Sequence, residues 1–424
     1  MAMTRVFSRR RLLTAACAST GMLIVGCSRN QTPPHPPESA ASPDASGGAS
    51  TTATEAASTL PFSLTGVSVT SAPTQVEQAA SPAELSPLWT LGGDFAEIGV
   101  LPLSSEEVFG SASANPNALM SYAAAVLTAD GPERLTPAPP AVVDPAEYFE
   151  PQDGTATEEW IVWKAATVDL DSETAAVTDN WQLWAYPRTG GGAAAVVGSA
   201  QELNGTAQTP AGPLEVVPTT DGGNVYWASA VTVGDQWERQ VLCYPLDGGG
   251  GPTVVGPGDL PAAVDGGVLY AVPNAEGMLT TVAHWDQSAD SSDTVLSITS
   301  ADASWQLTGL WASGSHRAVA VSSTAEGAGT YIGLWEAGQS APDTWLHAPS
   351  TIVIGSAGAA RFAWGSGSDG EQIGMYAVAW DGTDLVRLGD ATGYSRPALS
   401  PDGTTVLVPS SDGMNAVSWT VASF

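Results

Sequence analysis

From about Leu85 to the C-terminus, short apolar or aromatic runs alternate with clusters of Gly, Asp, Pro and Ser, and no helical period is sustained. Runs bounded in this way read as β-strands joined by turns, and a chain built almost wholly of them is a sandwich or a closed repeat. Internal repetition decides between the two. Tyr186-Pro187-Arg188-Thr189-Gly190-Gly191-Gly192 leads to Val196-Val197-Gly198, and 58 residues later Tyr244-Pro245-Leu246-Asp247-Gly248-Gly249-Gly250 leads to Val254-Val255-Gly256. Each reads as strand, glycine turn, strand. Asp221-Gly222-Gly223 precedes Val225-Tyr226-Trp227, and Asp265-Gly266-Gly267 precedes Val268-Leu269-Tyr270, 44 residues on. That spacing is the period of a propeller blade. Further hairpins follow at Ile332–Trp335 and at Met375–Leu388, the latter turning on Trp380-Asp381-Gly382-Thr383-Asp384.

The fold class expected is therefore all-β, a β-propeller of about seven four-stranded blades, with six or eight left open. The blades fall at about 88–143, 147–203, 211–260, 261–304, 305–352 and 353–394, and residues 395–424 hold only three strands. An N-terminal strand, from Pro87–Thr90 or from Phe95–Leu101, would complete that last piece and close the ring. Closure removes exposed sheet edges that would otherwise pair with other chains. Pro61–Thr70 has the composition of a further strand without a clear place in the ring.

The sharpest single stretch is Tyr394–Val408, YSRPALSPDGTTVLV. Pro401 presets φ for a turn, Asp402 can bond its own backbone, and Gly403 accepts a positive φ without steric cost. The run through Ser400, Pro401, Asp402 and Gly403 resembles the corner between the first two strands of the TolB-like (WD40-like) β-propeller repeat. That resemblance implies a propeller over about four fifths of the chain, and such propellers typically act as interaction platforms in the bacterial envelope.

The first 26 residues hold Arg5, Arg9, Arg10 and Arg11 and no acid. Ser8-Arg9-Arg10-Arg11-Leu12-Leu13 resembles a twin-arginine export signal, with Arg9 and Arg10 as its pair. An apolar run then ends at Leu23-Ile24-Val25-Gly26-Cys27, which resembles a bacterial lipobox with Cys27 as the lipidated residue. Residues 1–26 are read as a signal peptide, 27–59 as the lipidated cysteine and a disordered Ser/Thr/Ala/Pro tether, 60–84 as transitional and 85–424 as the propeller. The tether composition cannot bury enough surface to offset its ordering entropy. The expected location is extracytoplasmic, on the outer face of the cell membrane.

Charge narrows the partners. The chain carries a formal −31; beyond residue 26 only nine of the 13 basic groups face all 44 acidic ones, a net of −35. Such a surface repels phosphate backbones and anionic lipid, so nucleic acid is excluded and the membrane is reached through the lipid anchor only. Lys164 is the sole lysine.

Candidate chemistry is sparse. Once Cys17 leaves and Cys27 is acylated, Cys243 is the one free thiol, in a strand-like run where cysteine behaves as a small buried hydrophobe. Trp160, Trp163, Trp181, Trp184, Trp285, Trp305 and Trp311 could form platforms for sugar rings, but filling the wedges between blades is the simpler expectation. His284, His316 and His347 have no zinc-site spacing, and no Gly-x-Ser-x-Gly elbow, Walker loop or dinucleotide fingerprint occurs. No cofactor and no catalytic residue are assigned. The loop with Asp169, Asp171 and Glu173 has alternating oxygen donors for Ca²⁺, but it lacks the glycine and terminal Glu of an EF-hand loop and is better read as a solvated acidic turn. Two functions stay open: a non-catalytic platform for an envelope protein or cell-wall polymer, or a glycan-active hydrolase or lyase with paired carboxylates in the central funnel.

Overall fold

Residues 60–424 are described by the computed structural model, apart from 70, 93–96, 114–121, 138–149, 171–176, 207–208, 211–216, 235, 249, 301–303, 324, 326, 351, 368–371, 393–395 and 412–416. The central strands of each sheet are buried on both faces, which is why their sequences lose the in-out alternation of a half-exposed strand. In Asn224–Val233, Val225 and Trp227 pack to one side while Tyr226 and Ala228 pack to the other. Both sides must then be apolar, and strand sequence reads as a continuous hydrophobic run.

Seven sheets form, each built on four antiparallel strands with the first innermost. The inner strands are Glu97–Pro102, Glu150–Ala156, Thr219–Thr220, Asp259–Val264, Trp305–Ser313, Ile352–Ala357 and Ala398–Leu399, for blades one to seven. Each inner strand touches its neighbour's sheet, and blade seven touches blade one. Seven apolar clusters fill the seven junctions, one apiece; the cluster with Leu91, Leu407 and Val421 of blade seven and Val108 and Leu127 of blade one closes the circle. The ring is a seven-bladed propeller, which settles the six-to-eight range read from the sequence.

The N-terminal part makes four contributions: β1 (Ser63–Leu64), β2 (Thr74–Gln75), β3 (Ser81–Pro82) and β4 (Ser86–Gly92). β4 pairs antiparallel with Val417–Ser423 and is the fourth strand of blade seven. Of the two closing strands expected, the one at Pro87–Thr90 is therefore the one used. The described part of the other supplies the inner strand of blade one instead. β1, β2 and β3 add a fifth, outermost strand to blades four, five and six in turn. Residues 60–84 thus run as a belt around the outside of the ring, and the unplaced strand of Pro61–Thr70 is its first station.

Turns joining first to second and third to fourth strands lie on one face of the ring, called lower here. The second-to-third hairpins and the crossings to the next blade lie on the upper face. Blades two and three carry the longest hairpins. Trp160–Leu170 and Val177–Pro187 have 11 residues each, and Asn224–Val233 and Gln236–Pro245 have 10 each. The matching strands of blade six have seven and eight. At about 3.3 Å per residue the excess raises this sector roughly 10 Å above the rest of the upper rim.

Candidate functional site

The belt divides the ring into two unlike halves. On blades four to six it occupies the outer edges with short main-chain pairings, such as Thr65 N–H to Ser297 O at 2.9 Å and Ala83 N–H to Arg387 O at 3.0 Å. Side chains fasten it between these points. His347 Nδ1 donates to Gln75 Oε1 at 2.8 Å, and Phe62, Leu64 and Val76 are buried among the blades they cross.

Among the described residues, no belt strand covers the outer edges of blades one to three. Apolar exposure among the described residues collects there: Val196, Val217, Val233, Trp237 and Val254 are exposed, and only Leu88 of β4 lies elsewhere. Val254 keeps 56% of its surface on the edge strand of blade three, and Trp237 keeps 43% on the raised hairpin. Isolated surface apolar groups need no explanation, but a local group of them beside an open sheet edge marks an interaction surface.

The raised hairpin of blade three is held rigidly. Arg239 clamps Asp259, the first residue of the blade-four inner strand, through Nε at 2.9 Å and Nη2 at 3.0 Å. A bidentate guanidinium–carboxylate pair fixes orientation as well as distance. From the other side comes the short helix α1 (Ala200–Asn204), whose Ser199 cap accepts from Glu202 N–H at 3.1 Å. Asn204 donates to Ala230 O at 3.0 Å and accepts from Thr232 N–H at 3.1 Å. Trp237 is thus presented on a braced support.

On the lower face, Asp221 accepts from the Gly223 and Asn224 amides and from the Tyr226 hydroxyl. Asn224 and Gln287 exchange amide hydrogen bonds across the junction of blades three and four. Beside them a shallow cleft of about 440 Å³ is lined by Asp265, His284, Asp286 and Ser288. Burial, with the Asp221 charge added, pushes the Cys243 thiol up to about 11. It is a buried thiol that donates weakly to Asn224, at 3.8 Å, and no group here is poised as a nucleophile.

The sequence candidates fall out as follows. Ser400, Pro401, Asp402 and Gly403 form the lower-face corner of blade seven, and they dock on blade six by main chain, with Ala359 and Ala360 N–H donating to Pro401 and Asp402 carbonyls. Burial opposes ionisation of Asp402, but hydrogen bonds from Ser400 and Thr404 outweigh it and hold its carboxyl below the usual range. This is a structural corner. Trp163, Trp181, Trp285 and Trp305 are buried in wedges, and Trp160, Trp184 and Trp311 are half-buried against them. Trp163 and Trp184 stack at 6.0 Å, and none of these seven offers an open sugar platform. Trp237 is the exposed one, and its polar neighbours Gln236, Glu238 and Arg239 at a hairpin tip are the signal the sequence holds for it.

Inner-strand carboxylates matter for the hydrolase reading. Asp153 pairs with Arg396 of blade seven, and Asp259 with Arg239. Among the described inner-strand side chains no two uncompensated carboxylates face each other, and no group of three metal-ligating side chains occurs among the described residues. Asp169 lies on the raised hairpin of blade two, paired with Thr178. Asp171, Glu173, Arg9, Arg10 and Cys27 lie outside the described residues.

No family model matches the chain. No curated protein matches it either. Among solved structures, TolB from Acinetobacter baumannii is similar at 14% identity with a TM-score of 0.39, over 61% of this chain and 63% of that one. The chain therefore spans less than two thirds of TolB's length. Oligogalacturonate lyase from Vibrio parahaemolyticus is similar at 9% identity with a TM-score of 0.47, over 81% of this chain and 98% of that one. Likeness at this level says nothing about what the chain binds, and the seven closed sheets stand on their own topology.

Proposed function

We propose that this protein is a membrane-tethered, extracytoplasmic propeller that binds a partner without chemical turnover, as an assembly platform in the cell envelope. The observation that carries this reading is the asymmetry of the ring: belted on blades four to six, open and apolar on blades two and three. A catalytic funnel would show its chemistry at the centre. Here the distinctive surface is peripheral and raised, and two of the three described inner-strand carboxylates, Asp153 and Asp259, are neutralised by arginines, with Glu97 the third.

Residues 1–59 supply the setting in this reading. Arg9 and Arg10 route the chain to twin-arginine export, and Cys27 takes the lipid. The 32 residues between Cys27 and Leu60 have the composition of a tether, and a chain of that length and type spans about 30 Å. They join the belt at blade four, beside the open sector. The ring would then stand off the membrane with blades one to three free to meet a neighbour.

Crosslinking capture from intact envelope tests this. The native protein should recover one envelope protein in stoichiometric yield. Cys27→Ala should lose it through release from the membrane, and Trp237→Ala through loss of contact while still membrane-bound. Recovery of wall glycan that the protein then cleaves would replace the platform by the enzymatic alternative.

A further inference from the structure

The belt obeys one rule at three successive junctions. At blade four, β1 pairs antiparallel with Ser291–Thr299, and Phe62 and Leu64 fill the wedge toward blade five. At blade five, β2 runs parallel to Thr344–Ala348, and the next residue, Val76, is fully buried in the wedge toward blade six. At blade six, β3 runs parallel to Val386–Thr392, and Ala83 and Leu85 pack into the wedge toward blade seven. Each station is a short fifth strand plus an apolar side chain in the next wedge.

Blade three is the position immediately before blade four, where the belt begins, and among the described residues its station is empty. Its edge strand Thr253–Pro257 is the last of four. Its five residues match the length of Thr344–Ala348, which does carry a fifth strand. The wedge toward blade four ends in the half-buried Val255 and Val272, with no belt residue among its members, and Val254 beside Val255 on the edge strand stands exposed.

We propose that the outer edge of blade three is a strand-addition site for an extended, basic segment of a partner protein that brings one large apolar side chain to the three–four wedge. The inference rests on the platform reading and names where and how the partner docks. Main-chain pairing would supply affinity, and the wedge side chain specificity. The chain's own upstream residues do not suit the station, because 28–59 contain no Leu, Ile, Val, Met, Phe, Trp or Tyr. A second copy does not suit it either, since two bodies of charge −31 repel. Basic character follows from the net charge of −31 and from the exposed Glu238 near the edge, while Arg188 and Arg239 are already paired with Glu107 and Asp259.

The test uses the full chain and two short peptides, one alternating valine with lysine and one with its central valines replaced by proline, so that charge is equal and strand formation is not. The alternating peptide should bind and slow amide exchange at Thr253, Val254, Val255 and Gly256 by roughly tenfold. Val254→Lys should weaken it roughly tenfold, whereas Val196→Lys, which adds the same charge at the edge of blade two, should not. Equal binding of both peptides, or unchanged exchange at these amides, overturns the inference. So does equal binding by Val254→Lys. If Val254→Lys captures the envelope partner as well as the native protein does, the edge assignment fails and the platform stands. If no form captures a partner, the platform fails, and the peptide result still reads on the edge.

Discussion

Gly358 of blade six and Gly403 of blade seven face each other too closely for either to carry a side chain. A Cβ on Gly358 would stand 2.5 Å from Gly403 Cα, and one on Gly403 would stand 2.7 Å from Ala360 N. Gly403 also sits at φ +73°, where a Cβ is strained regardless of space. The corner motif is thus where two blades are joined by main chain.

Gly403→Ala should accordingly lower unfolding free energy by about 3 kcal/mol, combining backbone strain with displacement of blade six. Gly66→Ala is the matched control. Its φ is +77° but nothing lies within 4 Å of the added methyl, so only about 1 kcal/mol should be lost. Urea denaturation of the two variants measures the difference.

The clamp of Arg239 on Asp259 gives a second expectation. Asp259 keeps only 6% side-chain exposure, so Arg239→Ala strands a nearly buried carboxylate and should cost roughly 3 kcal/mol. Arg239→Lys keeps the charge but loses the fork, and it should fall between the two. Both are read by denaturant midpoint at neutral pH, with amide exchange at Val231–Val233 reporting whether the raised hairpin loosens.

Cys243 predicts a pH dependence. Burial, then the Asp221 charge, lifts the thiol from 9.0 to about 11, while its hydrogen bond with Tyr226 works the other way and is outweighed. Below pH 9 both folded and unfolded chains hold the proton, so the thiol favours neither. Between pH 9 and 11 the unfolded chain releases it and the folded chain does not, so stability falls as pH rises. Tyr226, whose hydroxyl is also raised, by burial first and then by Asp221, acts in the same direction. Cys243→Ala should therefore decline less steeply across that window, and Ellman's reagent should label Cys243 only after unfolding.

Two tryptophans of blade three separate fold from function. Trp227 is fully buried, and Trp227→Ala should cost roughly 4 kcal/mol or prevent folding. Trp237→Ala removes an exposed side chain and should change stability by no more than about 0.5 kcal/mol while abolishing partner capture. Thermal melts and envelope crosslinking on the same preparations check both halves.

Much of the ring was legible without coordinates. Turn chemistry is local, so Asp221-Gly222, Asp265-Gly266 and Asp402-Gly403 announce their corners, and each does lead into the second strand of a blade. The two Tyr-Pro…Gly-Gly hairpins are likewise the third and fourth strands of blades two and three. The corners and the three-stranded last piece gave about seven blades with six or eight open, because they mark some blades and not others, and the seven sheets settle the count.

Side-chain roles were less legible. Trp163 and Trp237 have the same chemistry, and which one meets solvent depends on how far a hairpin reaches beyond its neighbours. The ion pair of Arg396 with Asp153 joins positions 243 apart, and no pattern in either neighbourhood announces the other.

What the sequence determined by itself is therefore the repeating unit: short strands, their corners, a doubly buried middle, and a strongly acidic surface. Those features arise from interactions within a few residues or from composition alone, so they can be read along the chain. Only the tertiary structure decided that β1, β2 and β3 belt blades four to six, leaving the edge of blade three open. Two-residue strands carry too little pattern to be recognised alone, and they exist because a neighbouring edge and an apolar wedge are already in place to receive them.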